Sequence, residues 1–159
     1  MIRAFQAEDA PALAELCRAS IRKLGARKYS PAQVNAWFHR APAAEIYLAR
    51  VERGARIFVS EAKSGTIAAY ALLEPDGHLD RLFCHPDHAG NGHASALLAH
   101  VEEAAGGLGL ARLFSEVSEV ARPVFERAGY IVEHRRDFEM NGVPIHNYAM
   151  SKNLDGAIR

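Results

Sequence analysis

Residues 78–108 read HLDRLFCHPDHAGNGHASALLAHVEEAAGGL, and this stretch decides the fold. HLDRLFCH is apolar enough for a buried strand, and Pro86 closes it. Gly90 and Gly92 follow in a loop from His88 to Ala94. Glycine tolerates the positive φ and the close ligand approach that such a loop demands. Leu97, Leu98, Val101, Ala104, Ala105 and Leu108 then recur at helical spacing, so the next segment has one apolar face. A strand that delivers a glycine turn into a helix N-terminus leaves several backbone N–H groups unpaired and pointing one way. With the positive end of the helix dipole behind them, they suit a phosphate or diphosphate. The same glycines would also serve a plain strand-to-helix turn. The spacing is neither GxxxxGK[ST] nor a GxGxxG followed by an acidic ribose-binding residue, which excludes a Walker-type nucleotide and NAD.

The 159 residues suffice for one domain with a real core. Apolar residues are 49% and charged residues 24%, the balance of an ordinary globular protein. Acidic and basic side chains number 19 each, so no global field points to nucleic acid or to an anionic membrane surface. Cys17 and Cys84 read as small apolar residues rather than a disulfide. The opening MIRAFQAEDA has no apolar signal core and no run is long enough to span a bilayer, so a cytoplasmic location is expected.

Outward from the central stretch, the pattern alternates between strand and helix. Ile2 to Phe5 is a short strand, and a helix is expected from Glu8 to Lys23, with Pro11 in its first turn. Ser30, Pro31 and Gln33 form a capping box that starts a second helix, and Ala44 to Val51 adds a short third. Arg56 to Ala62 and Thr66 to Glu74 are β-rich runs around Lys63-Ser64-Gly65, and Pro75-Asp76-Gly77 turns the chain into His78. After the central helix, Arg112 to Val117 is a strand, joined in parallel by a right-handed crossover. A helix over Val120 to Ala128 ends at Gly129, and Tyr130 to Met140, Asn141-Gly142 and Val143 to Met150 make a closing hairpin. SKNLDGAIR reads as a loose tail, with residues 1–154 as the single domain and 155–159 outside it.

This order resembles the GNAT superfamily of N-acetyltransferases. LDRLFCHPDHAGNGHASALL resembles the family's acetyl-CoA segment, in which a strand ending V-x-P leads to a [QR]-x-x-G-x-[GA] loop. SEVSEVARPVFERAGY resembles its fifth strand and following helix, and RIFVSE, the Pro75-Asp76-Gly77 turn and NGVPIHNYAMSKNL fit the rest. The resemblance implies an α/β (α+β) GNAT fold. Its sheet is mixed and mostly antiparallel, with about seven strands and about four flanking helices, and it splays between the fourth and fifth strands. It also implies acetyl-CoA as cosubstrate, bound by Leu82, Phe83 and Cys84 on the strand, by Ala89, Gly90, Asn91, Gly92, His93 and Ala94 in the loop, and by Ser118 and Phe125 beyond the next strand. One position departs: Ala89 stands where the motif has Gln or Arg, which predicts weaker diphosphate binding rather than none, because the cradle is mainly backbone amide.

Acetyl transfer needs a neutral amine, a polarised carbonyl and a departing thiolate. A lysine-like amine with pKa near 10.4 is neutral in only about one molecule in a few thousand at pH 7, so a base helps. Asp80 matches the position where many relatives carry a glutamate base, and His78 is the rival because imidazole titrates near neutrality. Simple alternation places Asp80, Leu82 and Cys84 on one face and Leu79, Arg81 and Phe83 on the other. Backbone N–H groups around Phe83 and Cys84 would polarise the carbonyl. Phe125 stands where many relatives have an acidic tyrosine, leaving Tyr148, Tyr130 or water to protonate the thiolate. His85, His88 and His93 lack partners at zinc spacing, and no metal is expected.

The acceptor side would be lined by Tyr29 and Trp37 with the basic Arg22, Lys23, Arg27 and Lys28, unless these are a solvated turn with Trp37 in the core. The expected reaction is transfer to a small-molecule primary amine. A protein lysine or N-terminus and a non-catalytic acyl-CoA sensor are the alternatives, and no sequence feature decides for or against a homodimer.

Overall fold

The computed structural model describes residues 1–154, so the tail expected at 155–159 lies outside the described residues. The chain opens with β1 (Ile2–Ala4), a 3-10 turn at Ala7–Asp9 and α1 (Ala10–Lys23). Asp9 fixes that turn: its carboxylate accepts from the Gln6 N–H and pairs with Arg3, both at 2.8 Å. In α2 (Pro31–His39) the capping box closes in both directions, Gln33 N–H to Ser30 Oγ at 3.2 Å and Ser30 N–H to Gln33 Oε1 at 2.9 Å. After α3 (Ala44–Glu52) come β2 (Arg56–Glu61), β3 (Ile67–Leu73) and β4 (Leu79–Cys84), an antiparallel meander in the order β1-β2-β3-β4. The remaining elements are α4 (His93–Gly107), β5 (Arg112–Val117), α5 (Arg122–Arg127), β6 (Ile131–Met140) and β7 (Val143–Asn153). These last three strands form a second sheet in the order β5-β7-β6. Asn141 and Gly142 both take positive φ in the β6–β7 turn, as an Asn-Gly hairpin requires.

The mixed, mostly antiparallel architecture of seven strands is as expected, with five α-helices among the described residues rather than four. The end of the chain differs from the expected tail. Ser151, Lys152 and Asn153 continue β7, paired with β5, and Leu154 is buried. Their backbone finds ladder partners, which a tail would leave to water.

β3 is buried on both faces and divides the core. Ala69, Ala71 and Leu73 face α4, where Leu97, Leu98, Val101 and Ala105 are fully buried with Leu113 and Phe125. Tyr70 and Leu72 face α1, packing with Leu13, Cys17, Ile21 and Tyr47. Cys17 and Cys84 are free thiols. No helix among the described residues is long and apolar enough to cross a membrane.

Candidate active site

The site begins where β4 and β5 part. His78 bridges Phe114 in parallel, the Phe114 N–H donates to Gly77 O at 3.1 Å, and Ser115 Oγ donates to Leu79 O at 2.6 Å. Gly77 makes this junction possible, because a Cβ there would collide with the Arg112 carbonyl oxygen. Beyond Leu79 the strands have no ladder between them, and each is an edge of its own sheet.

Within β4 the simple alternation fails at one residue. Leu72 pairs with Arg81 and Leu73 with Leu79, so Asp80 is an extra, unpaired residue. Leu79 therefore lies on the α4 side with Leu82 and Cys84, not with Arg81 and Phe83 as alternation predicts. The bulge also lets Asp80 and Arg81 line the same cavity. Register fixes which backbone groups face the gap. His85 N–H donates to Ala68 O at 2.7 Å, so the hydrogen-bonded pairs with β3 include Phe83–Tyr70, and the N–H groups of Leu82 and Cys84 point away from β3. The free donors are thus on Leu82 and Cys84, while the Phe83 N–H is taken by the ladder.

Two cavities meet in this gap. The larger, about 360 Å³, runs from Leu82, Phe83 and Cys84 to the loop and the start of α4, where Ala89, Gly90, Gly92, His93 and Ala94 line it. Gly92 caps the helix at φ 86°, and an added Cβ would point into open space. The first helical bond is Ala96 N–H to Gly92 O, which leaves the N–H groups of His93, Ala94 and Ser95 without intrahelical partners. Arg27 and Arg127 add two cations. This donor set fits a diphosphate, as the motif implies. Asn91 does not line the cavity.

The smaller cavity, about 160 Å³, lies on the side of the closing hairpin. Trp37, Leu82, Phe83, Ser118 and Ala121 line both spaces and form the passage between them. Tyr29, Asp80, Arg81, Glu116, Phe138 and His146 are among its other walls. Trp37 and Tyr29 therefore face a cavity as well as the core. Of the basic residues grouped with them, Arg22 stacks on Phe38 at 3.9 Å and Arg27 belongs to the larger cavity.

A charge network surrounds the junction. Arg50 of α3 pairs with Asp80 Oδ2 at 3.0 Å and with Glu74 at 3.1 Å. His78 lies between Glu116 Oε1 at 2.7 Å and Glu74 Oε1 at 2.6 Å. The Glu116 contact, then that to Glu74, pushes its pKa up to about 9, so the ring is a cation at neutral pH. Ligand-type atoms of Glu74, His78 and Asp80 fall within 4.8 Å of one another, but Arg50 and the His78 cation already supply positive charge there. Tyr148 lines neither cavity; its hydroxyl donates to Glu119 Oε1 at 2.8 Å, which also holds His146. These contacts, His146 first, hold the Glu119 carboxyl below its ordinary range. Tyr130 is buried on Phe125, and its hydroxyl has no partner among the described residues. Phe125 walls the smaller cavity, and Ser118 Oγ accepts from the Ala121 N–H at 3.1 Å while lining both. Sequence reasoning missed Arg50, Glu116 and His146 as parts of the site. Each comes from a different element, and no local pattern marks them.

The acetyltransferase (GNAT) domain family matches residues 25–152. No curated protein is significantly similar in sequence. Among solved structures, a GCN5-related N-acetyltransferase from Rhodopseudomonas palustris is 31% identical, with TM-score 0.86 over 96% of this chain and 94% of that one. PaiA N-acetyltransferase from Thermoplasma acidophilum, in complex with coenzyme A, is 20% identical, with TM-score 0.77 over 96% and 98%. YncA from Salmonella typhimurium, with its cofactor acetyl-CoA, is 19% identical, with TM-score 0.76 over 98% and 94%. The domain match and the close fold and sequence likeness together place this chain in the GNAT superfamily of acyltransferases.

Proposed function

We propose that the protein transfers an acetyl group from acetyl-CoA directly to the primary amine of a small molecule. The observation that carries this reading is the meeting of two cavities at free backbone donors. One cavity ends in a helix-capping glycine loop suited to diphosphate, and the other is walled by a carboxylate, Asp80. In the passage, the N–H groups of Leu82 and Cys84 would donate to the thioester oxygen and stabilise the charge it gains as nitrogen attacks. Asp80 Oδ1 makes no hydrogen bond to Arg50 and would take the amine's proton, directly or through water. His78 already holds a proton and serves instead to fix Glu116 and Glu74. The C–N bond forms, the C–S bond breaks and its electron pair leaves on sulfur. With Phe125 facing the smaller cavity and Tyr148 engaged by Glu119, we assign no side-chain acid to that step. A thiol of pKa near 8.5 leaves with little help.

Calorimetric titration with acetyl-CoA, followed by thiol release against a panel of amines, tests the reading. Micromolar binding with amine-dependent release is expected. Binding without release from any amine points to an acyl-CoA sensor, and absence of binding removes the assignment of the loop.

A further inference from the structure

The bulge at Asp80 sets two consecutive residues of opposite charge along one cavity, and their partners differ. Asp80 Oδ2 is held by Arg50 at 3.0 Å, whereas its Oδ1 makes no hydrogen bond among the described residues and lies 3.9 Å from His78 Nε2. Arg81 is more isolated. Its side chain is 22% exposed, its nearest acidic contact is Nε to Asp80 Oδ2 at 3.7 Å, and among the described residues its guanidinium makes no hydrogen bond. The other polar groups of this cavity are engaged: Glu116 by His78, His146 by Glu119, and Asn147 by Arg136 at 2.8 Å. The nearby Tyr47 and Tyr70 hydroxyls bond to each other, not to Arg81. A half-buried guanidinium presents a rigid fork of N–H donors matched to a carboxylate, and leaving those donors without a hydrogen bond is unfavourable.

We propose that the acceptor is a small free amino acid, its carboxylate held by Arg81 and its amine placed against Asp80 Oδ1. This rests on the acetyltransferase reading and narrows it. The adjacency of the two groups on the bulge matches the short separation of the two charges in such a molecule. Phe138, Met140 and Ile145 provide an apolar wall, which favours an apolar side chain on the amino acid. A protein N-terminus or a lysine within a chain has no carboxylate beside its amine, so Arg81 would discriminate against both.

The test uses matched pairs that differ only in the carboxylate: phenylalanine with phenethylamine, leucine with isoamylamine, methionine with 3-methylthiopropylamine. Affinity is read by calorimetry in the presence of coenzyme A, and thiol release from acetyl-CoA is read separately. The amino acid of each pair is expected to bind at least about tenfold more tightly than its amine, and Arg81→Gln to erase that ratio while leaving coenzyme A affinity unchanged. Arg81→Lys should restore part of it. A ratio near one in the wild-type protein, or one that survives Arg81→Gln, overturns the proposal. Tighter binding of an alanine-initiated peptide than of any amino acid overturns it as well. An Arg81-dependent preference without thiol release would support amino-acid recognition and sink the acetyltransferase reading, so the two failures are distinct.

Discussion

His78 Nε2 lies 2.7 Å from Glu116 Oε1, joining the start of β4 to β5 at the point where the two sheets separate. The ring also stacks on Phe114, at 5.0 Å between centroids and 12° between planes. One charged contact thus ties the meander to the closing three-stranded sheet.

This tie predicts a pH dependence of stability. The folded pKa of His78 is raised from 6.5 to about 9, so its stabilisation is complete below pH 6.5 and is lost as pH rises through about 9. Thermal melts of the wild-type protein are expected to slope downward across that window. In His78→Gln the melting temperature below pH 6.5 should be lower and the slope flatter; an unaltered slope would assign the titration to another group.

Asp80→Asn is expected to lower kcat/KM for the amine by about 10²–10⁴ at neutral pH, because the amide accepts no proton. Acetyl-CoA affinity should stay within about twofold, since Asp80 lines only the smaller cavity. Parallel rate and binding measurements separate the two, and an unchanged rate at every pH removes Asp80 as the base.

Gly92→Val is expected to weaken acetyl-CoA binding at least about tenfold, because Gly92 lines the larger cavity beside the free N–H groups and a valine there adds bulk to its wall. Strain alone also destabilises a β-branched residue at φ 86°. Gly65→Val supplies the control: it has the similar φ of 88° and open space, but it lies in the hairpin between β2 and β3. Equal losses of affinity in both variants would reduce the cradle to a backbone effect.

Tyr47 and Tyr70 are fully buried, and their hydroxyls bond to each other between α3 and β3. Tyr47→Phe should destabilise the fold by about 1–3 kcal/mol, because it removes the hydrogen-bond partner of the buried Tyr70 hydroxyl. Adding Tyr70→Phe should recover much of that loss, since no unpaired group then remains. Denaturant melts of both single variants and the double variant measure the coupling, and simple additivity would contradict it.

Much of the fold was legible locally because its signals are short-range. The Ser30–Gln33 box, the Asn141-Gly142 turn and the apolar stripe of α4 each depend on residues within a few positions, and each formed. The end of β7 was misread because Ser151 to Asn153 look polar and tail-like; their order comes from pairing with β5, some forty residues earlier. Alternation failed at Asp80 for a similar reason. Periodicity of two assumes an unbroken ladder, and the bulge appears only when Leu72 and Leu73 of β3 are laid beside β4.

The sequence by itself determined the glycine loop, the helix it caps, the carboxylate ahead of it and the family these resemble, since all lie within one continuous stretch. Tertiary structure alone decided what surrounds that carboxylate. Arg50 is 30 residues from Asp80 and Glu116 is 38 from His78, and nothing in either local pattern announces a partner. Which backbone donors stay free, which histidine carries a proton and which carboxylates an arginine meets all depend on strand register and on charges brought close by packing. Electrostatic interaction falls with distance in space, not along the chain, and only the fold sets that distance.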